Sequence, residues 1–287
     1  MVLKYGCWLG ASLVALLVAG STAAAGADSS RSVVANFYPI AYAAQRVGGD
    51  RVHVTNLTPA GAEPHDLELN PDQIDEILDA DVLFDMGAGF QPAVEKAGEQ
   101  RDGPTVSFLR AGSKDPHIWL DPVRMAGIVR TVQRELIKVD PKGRAVYTRN
   151  AQRFLAELAA LNTRYTQGLA HCTRKVIVTG HEAFGYLAKR YGLRQEGVAG
   201  LSPDAEPDAQ RLGQLTDLVK RLGVKVVFTE DLVSPRIADT LAREAGVTTK
   251  TLSPLEGLTD KELAQGATYV TVMDQNLTKL RGALGCS

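Results

Sequence analysis

The sequence predicts an α/β protein with two α/β lobes, each a mostly parallel sheet flanked by helices, joined by one long rigid helix. In each half of the chain, short β-rich runs alternate with amphipathic runs of helical period, the pattern of parallel sheets covered by helices. Between the halves, the residues from Lys142 to about His171 contain no proline and repeat apolar side chains at helical spacing. Such a helix would be on the order of 40 Å long, so we expect it to join the lobes as a strut.

The first lobe is expected over residues 32–139. Residues that break regular structure separate its elements, such as Pro39 after the first strand and Gly87-Ala88-Gly89 after the third. Pro71 stands in the first turn of a helix, where its missing N–H is not needed. The predicted strands are 32–37, 52–57, 81–85 and 105–109, and the predicted helices are 40–47, 71–80, 90–98 and 121–139.

The same alternation restarts over residues 173–287, after a linker helix that we place over residues 140–172. The β-rich run from Val224 to Thr229 is typical of a buried strand, which places it inside the second sheet. The predicted strands are 175–179, 196–201, 224–229 and 248–252, and the predicted helices are 183–191, 209–222, 234–245 and 274–284.

Residues 1–27 are expected to be an export signal and not part of the fold. Lys4 supplies positive charge, and residues 9–20 form an apolar run too short to span a bilayer comfortably. Small residues offer cleavage after Ala25 or Ala27. Ser21 stands where a lipoprotein signal would carry cysteine, so the sequence predicts a soluble exported protein, in the periplasm or at the extracytoplasmic cell surface.

Composition narrows the class of protein further. Basic and acidic residues nearly balance, at 32 and 33, and no basic stripe points to nucleic acid as a partner. A hydrophobic content of 45% with 23% charged residues is typical of a globular chain with a sizeable core. Cys7 lies in the signal, which leaves Cys172 and Cys286 as an even pair in an oxidising compartment. We therefore expect a disulfide between them.

Three of the five histidines share a structural setting. His65, His117 and His181 each lie in a loop that follows a predicted strand, two in the first lobe and one in the second. Ligand sites in open α/β sheets lie beyond the carboxyl ends of the strands, so these side chains have a route to the cleft between the lobes. Three imidazoles would suit Zn²⁺ or another late first-row divalent ion. From the pattern alone, a shared metal site and three unrelated loop histidines remain open alternatives.

The motifs around these histidines resemble those of a known family. The three segments are GAEPHDLE at 61–68, DPHIWLDP at 115–122 and GHEAFGYL at 180–187. They look like the metal-binding signatures of the zinc and manganese solute-binding proteins of ABC importers, the TroA/ZnuA-like cluster A-I group. Further similar segments occur in the second lobe, and the resemblance covers essentially the whole mature chain.

The resemblance implies one metal ion in the interlobe cleft, with ligand roles for His65, His117 and His181. Histidine at position 181 is similar to the zinc members, whereas manganese members tend to carry a carboxylate there. We therefore expect a periplasmic or extracytoplasmic protein without catalytic residues that captures one Zn²⁺ per chain and delivers it to a cognate ABC permease. Mn²⁺ or iron is the alternative cargo. The protein is expected to be a monomer, with a metallochaperone as a further partner.

The fourth ligand departs from the family pattern. The family usually carries aspartate in a Leu-Asp-Pro step after the last strand, and this chain reads Leu252-Ser253-Pro254. A neutral serine hydroxyl is a poor ligand for Zn²⁺, so Ser253, water or a nearby glutamate remain the alternatives for the fourth position. The glutamates in strand-end loops, among which the sequence does not choose, are Glu63, Glu182, Glu206, Glu230 and Glu256.

Two further classes of protein compete with a metal carrier. Three histidines and a water also form a catalytic zinc site, in which Glu182 or Glu230 would serve as the base of a metallohydrolase. Nothing in the sequence suggests a substrate pocket for such an enzyme. No repeat or stalk-like segment supports the other class, a surface adhesin with a structural metal.

Overall fold

The computed structural model describes residues 1–3, 6, 30–203 and 207–287. Apart from residues 1–3 and 6, the export signal expected over residues 1–27 lies outside the described residues, and so does Glu206. Within the described part of the chain, no helix combines the length and the apolar character needed to cross a bilayer.

The first lobe is a four-stranded parallel sheet covered by helices. Its strands are β1 (Arg31–Ala35), β2 (Val52–Asn56), β3 (Val82–Asp85) and β4 (Thr105–Ser107), and its helices are α1 (Tyr38–Gly48), α2 (Pro71–Asp79), α3 (Pro92–Gly98) and α4 (Pro122–Val139). The strand order is β2-β1-β3-β4, and every neighbouring pair is parallel. Because the carboxyl ends of parallel strands meet at one edge, the loops after β2 and β4 bring His65 and His117 to the same edge of the sheet.

The long helix predicted between the lobes is present as α5 (Arg144–Ala170), preceded by one 3₁₀ turn at Pro141–Gly143. One stripe of its surface is buried and packs against α4 and α1. The period of this stripe is the helical spacing that the sequence shows. Its buried residues are Tyr147, Ala151, Phe154, Leu158, Leu161, Tyr165 and Leu169.

The second lobe repeats the architecture of the first. Its strands are β5 (Val176–Thr179), β6 (Arg194–Gly197), β7 (Val226–Thr229) and β8 (Thr248–Thr251), and its helices are α6 (Gly185–Arg190), α7 (Ala209–Arg221), α8 (Arg236–Ala245), α9 (Asp260–Ala264) and α10 (Tyr269–Leu284). The strand order is β6-β5-β7-β8, again all parallel. The loop after β5 carries His181, and the loop after β8 carries Glu256. The fold predicted from the sequence, two parallel-sheet lobes with a long helix, is therefore confirmed.

The helix α9 of the second lobe was not predicted, and the bounds of β6 and α10 differ most from the sequence prediction. β6 ends at Gly197 instead of continuing to residue 201, because the chain turns there so sharply that a Cβ would lie 2.3 Å from the carbonyl oxygen of Ala199. α10 begins at Tyr269 rather than at residue 274, because the Thr268 side chain accepts a hydrogen bond from the backbone N–H of Thr271 and caps the helix.

The two lobes share one hydrophobic core. A continuous cluster of buried side chains includes Val33 of the first sheet, Phe154 of α5, Ile177 of the second sheet and Tyr269 of α10. Tyr165 of α5 donates a hydrogen bond of 2.7 Å from its hydroxyl to the carbonyl oxygen of Met273 in α10. Since close-packed interiors deform little, α5 and this common core resist movement of one lobe relative to the other.

The predicted disulfide is present between Cys172, just after α5, and Cys286, just after α10. It joins positions 114 residues apart. In the chain-entropy account, a loop of this length stabilises the folded state by about 4–5 kcal/mol. The disulfide therefore fixes the carboxyl end of the strut to the end of the second lobe.

A buried ion pair fixes the other end of the strut. Arg51 Nε donates to Asp140 Oδ2 at 2.8 Å, and the Tyr147 hydroxyl donates to the same oxygen at 2.6 Å. Gly143 is needed beside this network, because a Cβ there would lie 2.4 Å from Asp140 Oδ2. The Arg51 guanidinium lowers the pKa of the Asp140 carboxyl to about 2.

We predict that Asp140→Asn destabilises the fold at pH 7 by roughly 2 kcal/mol, since one pKa unit corresponds to about 1.4 kcal/mol. A folded-state pKa below the unfolded value gives stability that is present above about pH 4 and is lost as the pH falls towards 2. The penalty should therefore shrink by about half between pH 7 and pH 3, as measured by urea unfolding at each pH.

Asp274→Asn is the matched control. Asp274 forms a bidentate pair with Arg164 of α5, but both side chains are about two-fifths exposed, so this pair should contribute at most about 1 kcal/mol. An Asp140→Asn penalty that is independent of pH, or equal to that of Asp274→Asn, would contradict the assignment.

Candidate metal centre

Four side chains converge where the loops of the two lobes meet. Each of His65, His117, His181 and Glu256 offers one donor atom, and these four atoms all lie within 4.8 Å of one another. Glu256 Oε1 is 3.2 Å from His117 Nε2, 3.2 Å from His181 Nε2 and 3.4 Å from His65 Nε2. The Nε2 atoms of His117 and His181 are 3.2 Å apart.

These separations fit a small tetrahedral ion. With bonds of 2.0–2.1 Å, the donor atoms around tetrahedral Zn²⁺ lie about 3.3 Å from one another. Three imidazole nitrogens and one carboxylate oxygen are also a donor set that suits zinc and related late first-row metals. The cluster could therefore hold one metal ion without bringing in distant residues.

His117 is held by its own loop. The backbone N–H of His117 donates to Asp115 Oδ1 at 2.9 Å, and its ring Nδ1 lies 2.8 Å from the same oxygen. Because a carboxylate can only accept, Nδ1 donates to Asp115, and Nε2 is the ring atom that faces the cluster. The following Trp119 is fully buried and donates from Nε1 to the Pro254 carbonyl oxygen at 2.8 Å, which ties this loop to the Glu256 loop.

His181 is held by a carboxylate from the next strand of its sheet. Glu230 accepts from the His181 backbone N–H at 2.7 Å and from its ring Nδ1 at 2.6 Å, so this ring is also aimed through Nε2. Gln195 adds a third contact, donating from Nε2 to the His181 carbonyl oxygen at 2.9 Å. The preceding Gly180 is required by this packing, since a Cβ there would lie 2.5 Å from Glu230 Oε1.

His65 is held more loosely than the other two histidines. It lies in a 3₁₀ turn at Pro64–Asp66, where its backbone N–H donates to Glu63 Oε1 at 3.2 Å. Its ring packs edge-on against Phe90, with 4.7 Å between the ring centroids. The His65 side chain is 11% exposed, whereas those of His117 and His181 are fully buried.

Glu256 reaches the cluster through an unusual backbone conformation. The preceding Leu255 has φ of +54°, a left-handed conformation that costs a branched residue about 1 kcal/mol or more and that tends to occur at functional sites. Leu255 is fully buried, and the Ser253 hydroxyl accepts a hydrogen bond from its N–H at 3.3 Å. This packing and this hydrogen bond hold the turn that directs the Glu256 carboxylate inward.

The charges of the centre favour a bound cation. Burial opposes ionisation of Glu256, but the adjacent imidazoles of His117, His181 and His65 outweigh it and hold the pKa of its carboxyl well below the ordinary value. Burial alone would lower the pKa of His181, but Glu230 and Glu256 raise it to about 10, and Asp115 and Glu256 raise the pKa of His117 in the same way. Since metal ligands must be deprotonated, an entering metal ion takes the place of these protons.

Among the alternatives left open for the fourth position, the structure places Glu256 beside the three histidines. Ser253 has a local role: its hydroxyl accepts from Leu255, and its backbone N–H and C=O both bond to the Asn276 side chain. Glu256 is one of the five candidate glutamates in the sequence. No residue pattern marks the left-handed turn at Leu255 that brings Glu256, and not the other four, to the histidines.

The other candidates from the sequence occupy other places. Glu230 lies behind His181, and Glu63 caps the turn that carries His65. Glu182 is partly exposed, with its backbone N–H bonded to the Gly200 carbonyl oxygen. His53 and His171 are exposed on β2 and just after α5.

Comparison with known sequences gives one family and several relatives. The profile of the family described as ZnuA, zinc-uptake complex component A periplasmic, matches residues 33–283. The high-affinity zinc uptake system protein ZnuA of Bacillus subtilis is 35% identical over 312 residues, which cover 96% of this chain and 98% of that protein. The zinc-binding lipoprotein AdcA of Streptococcus pneumoniae is 34% identical over 94% of this chain, but the chain spans only 59% of AdcA.

Solved structures agree with these sequence matches. The Zn(II)-bound ZnuA-like domain of Streptococcus pneumoniae AdcA superposes with a TM-score of 0.78 at 35% identity, over 89% of this chain and 99% of that one. The laminin-binding protein Lmb of Streptococcus agalactiae, described as a bifunctional protein with adhesin and metal transporting activity, gives 0.82 at 33% identity, over 88% and 99%.

We predict that Glu256→Gln weakens zinc binding by more than the roughly 10–100-fold that is typical for loss of an outer partner of a metal ligand. The amide keeps the shape of the side chain but removes the buried negative charge. Ser253→Ala removes a hydroxyl that supports the Leu255 turn but is not one of the clustered donor atoms, so its affinity should fall by much less than that of Glu256→Gln. Competition with a chromogenic chelator measures the zinc affinity of both variants. A larger loss of affinity in Ser253→Ala than in Glu256→Gln would place the fourth ligand at the serine.

Proposed function

The chain belongs to the family of the periplasmic zinc-uptake component A, and we propose that it captures Zn²⁺ outside the cytoplasmic membrane and delivers it to an ABC permease. The observation that carries this proposal is the meeting of three imidazole nitrogens and one carboxylate oxygen, all within 4.8 Å of one another and with each nitrogen 3.2–3.4 Å from the oxygen. The four donors come from four strand-end loops, two in each lobe, so an ion bound there lies in the cleft between the lobes.

Zinc is the proposed cargo because of the donor set. Imidazole is a borderline ligand that suits zinc, and the single carboxylate contributes one charge. Of the alternative cargoes, Mn²⁺ favours sites with more oxygen donors, and Fe²⁺ in sites of histidine and carboxylate typically keeps open positions, which four clustered protein donors do not provide. The relatives named above are described as zinc-uptake or zinc-binding proteins, which supports the same choice.

We propose a carrier and not a metallohydrolase. A catalytic zinc has three protein ligands and keeps the fourth position for water or substrate, whereas here the fourth donor is Glu256. Of the two glutamates that could act as the general base of a hydrolase, Glu182 and Glu230, the second is occupied with both the backbone and the ring of His181. A centre with four protein donors binds its ion and leaves no place for an activated water.

We propose that the protein acts outside the cytoplasm as a monomer, with a membrane permease as its partner. The B. subtilis relative is described as part of an uptake system, and the S. pneumoniae relative as a lipoprotein. A metallochaperone remains a further proposed partner. Because α5 and the common core stiffen the frame, we propose that loops, and not a hinge between lobes, change when the ion is released.

We predict that the metal-free chain binds one Zn²⁺, far more tightly than Mn²⁺, and that His181→Ala nearly abolishes this binding. Chelator competition with each metal measures the affinities. Uptake of radioactive zinc into vesicles containing the permease of the source organism measures delivery, with His53→Ala as a control on an exposed histidine outside the centre. Equal affinity for the two metals would contradict zinc as the cargo, and tight binding without stimulated uptake would contradict delivery.

A further inference from the structure

We infer that His65 is the exchangeable ligand of the centre, through which the ion enters and leaves, and that Gln91 is the residue that positions it. This inference rests on the proposed function, since it concerns how a bound ion is exchanged. A metal ion leaves a site of several ligands by losing them one at a time. The first ligand to leave is the one with the weakest orientation and the best access to solvent.

The three histidines differ in what orients their rings. The second ring nitrogen of His117 bonds to Asp115, and that of His181 bonds to Glu230. Within the described part of the chain, the only carboxylate paired with the His65 ring is Glu256, on the ligand side. Outer carboxylates fix the direction of a metal-binding imidazole, so His65 is the histidine whose ring direction no outer carboxylate of the described residues fixes.

The distances between the histidine rings and the exposure of the ligands also distinguish His65 from the other three ligands. The ring centroids of His117 and His181 are 5.1 Å apart, whereas His65 lies 5.7 Å and 5.9 Å from them. His117, His181 and Glu256 are at most 1% exposed. His65, by contrast, lines an open cleft, together with Phe90, Lys114, Pro116 and Ser202. Solvent, a chelator or an arriving ion therefore meets His65 first.

The loops of the other three ligands are joined to one another. Asp121, after the His117 loop, pairs with Arg190 of α6 in the second lobe. The Tyr186 hydroxyl of α6 donates to the Asp115 carbonyl oxygen at 3.3 Å, and Trp119 bonds to Pro254 beside Glu256. The His65 loop is joined to the Glu256 loop through the backbone, where the Gly61 N–H donates to the Leu258 carbonyl oxygen at 3.0 Å.

Gln91 holds the His65 turn from the neighbouring loop, in addition to the Glu63 cap within the turn. Its amide nitrogen donates to the Pro64 carbonyl oxygen at 2.8 Å and to the Thr58 hydroxyl at 3.2 Å, and its side chain is buried. The preceding residues Gly87, Ala88 and Gly89 all have positive φ, which turns the chain so that Phe90 and Gln91 both face the turn. Loss of this amide would free the backbone that carries His65.

Gln195 provides an unusually close control in the second lobe. Its amide nitrogen donates to the Thr179 hydroxyl at 2.7 Å and to the His181 carbonyl oxygen at 2.9 Å, the same pair of partner types as those of Gln91. The difference is that Glu230 also holds His181, through both its backbone and its ring. Loss of Gln195 should therefore leave the aim of its histidine intact.

The test compares zinc release from Gln91→Leu, Gln195→Leu and the unmodified full-length chain, by stopped-flow transfer to a chromogenic chelator in excess. Loss of a partner outside the ligand shell typically costs about 10–100-fold in metal affinity. If this loss appears in the release step, we expect Gln91→Leu to release zinc about 10–100-fold faster and Gln195→Leu, whose histidine Glu230 still holds, to speed release by a much smaller factor. The melting temperature of each metal-free variant separates loss of positioning from loss of folding. Co²⁺ absorption reports whether the bound ion keeps four ligands.

If Gln91→Leu does not fold, a second pair of variants tests the same inference. His65→Ala should still bind Co²⁺ through the remaining three donors and release it faster, whereas His181→Ala should not bind it. Equal release rates in the two glutamine variants, or faster release from Gln195→Leu than from Gln91→Leu, would overturn this inference. The proposed function would still stand as long as the unmodified chain binds zinc. An unmodified chain that binds no zinc would overturn both.

Discussion

The arrangement of this protein depends on one buried carboxylate that faces three imidazoles. Glu256 is 1% exposed, and a charged carboxylate is stable in such a place only beside positive charge or strong hydrogen-bond donors. Its oxygen lies within 3.4 Å of a nitrogen of each histidine, so protons or a metal ion must supply that charge. The outer carboxylates Asp115 and Glu230 make the same demand stronger. The centre is thus built to hold a cation before any cation arrives.

The rest of the fold keeps the loops that carry these groups in register. In each lobe, the parallel sheet brings the loops after its strands to one edge of the sheet. The helix α5 packs in a hydrophobic core that both lobes share, and it thereby fixes these two edges relative to each other. Arg51 with Asp140 fixes one end of the strut, and the Cys172–Cys286 disulfide fixes the other. A frame of this stiffness can set donor atoms at fixed spacing, and it leaves movement to the least restrained loop, the one that carries His65.

Much of this could be predicted from the sequence, because it follows from local patterns. Alternating β-rich and helical runs predict the two sheets, the uninterrupted period predicts α5, and the positions of His65, His117 and His181 after predicted strands place them at the carboxyl ends of the sheets. Glu256 could not be chosen, because its direction depends on a left-handed Leu255 that tertiary packing and the Ser253 hydroxyl impose. The start of α10 was missed because the capping by Thr268 lies outside the apolar pattern.

We propose that Glu256 completes a four-ligand zinc centre with the three histidines. X-ray absorption at the zinc edge of the loaded full-length chain reports this ligand set. We expect three imidazole nitrogens and one carboxylate oxygen, all at about 2.0–2.2 Å, with the oxygen contribution altered in Glu256→Gln and unchanged in Ser253→Ala. A spectrum with fewer than three imidazoles, or one that Glu256→Gln leaves unchanged, would contradict it.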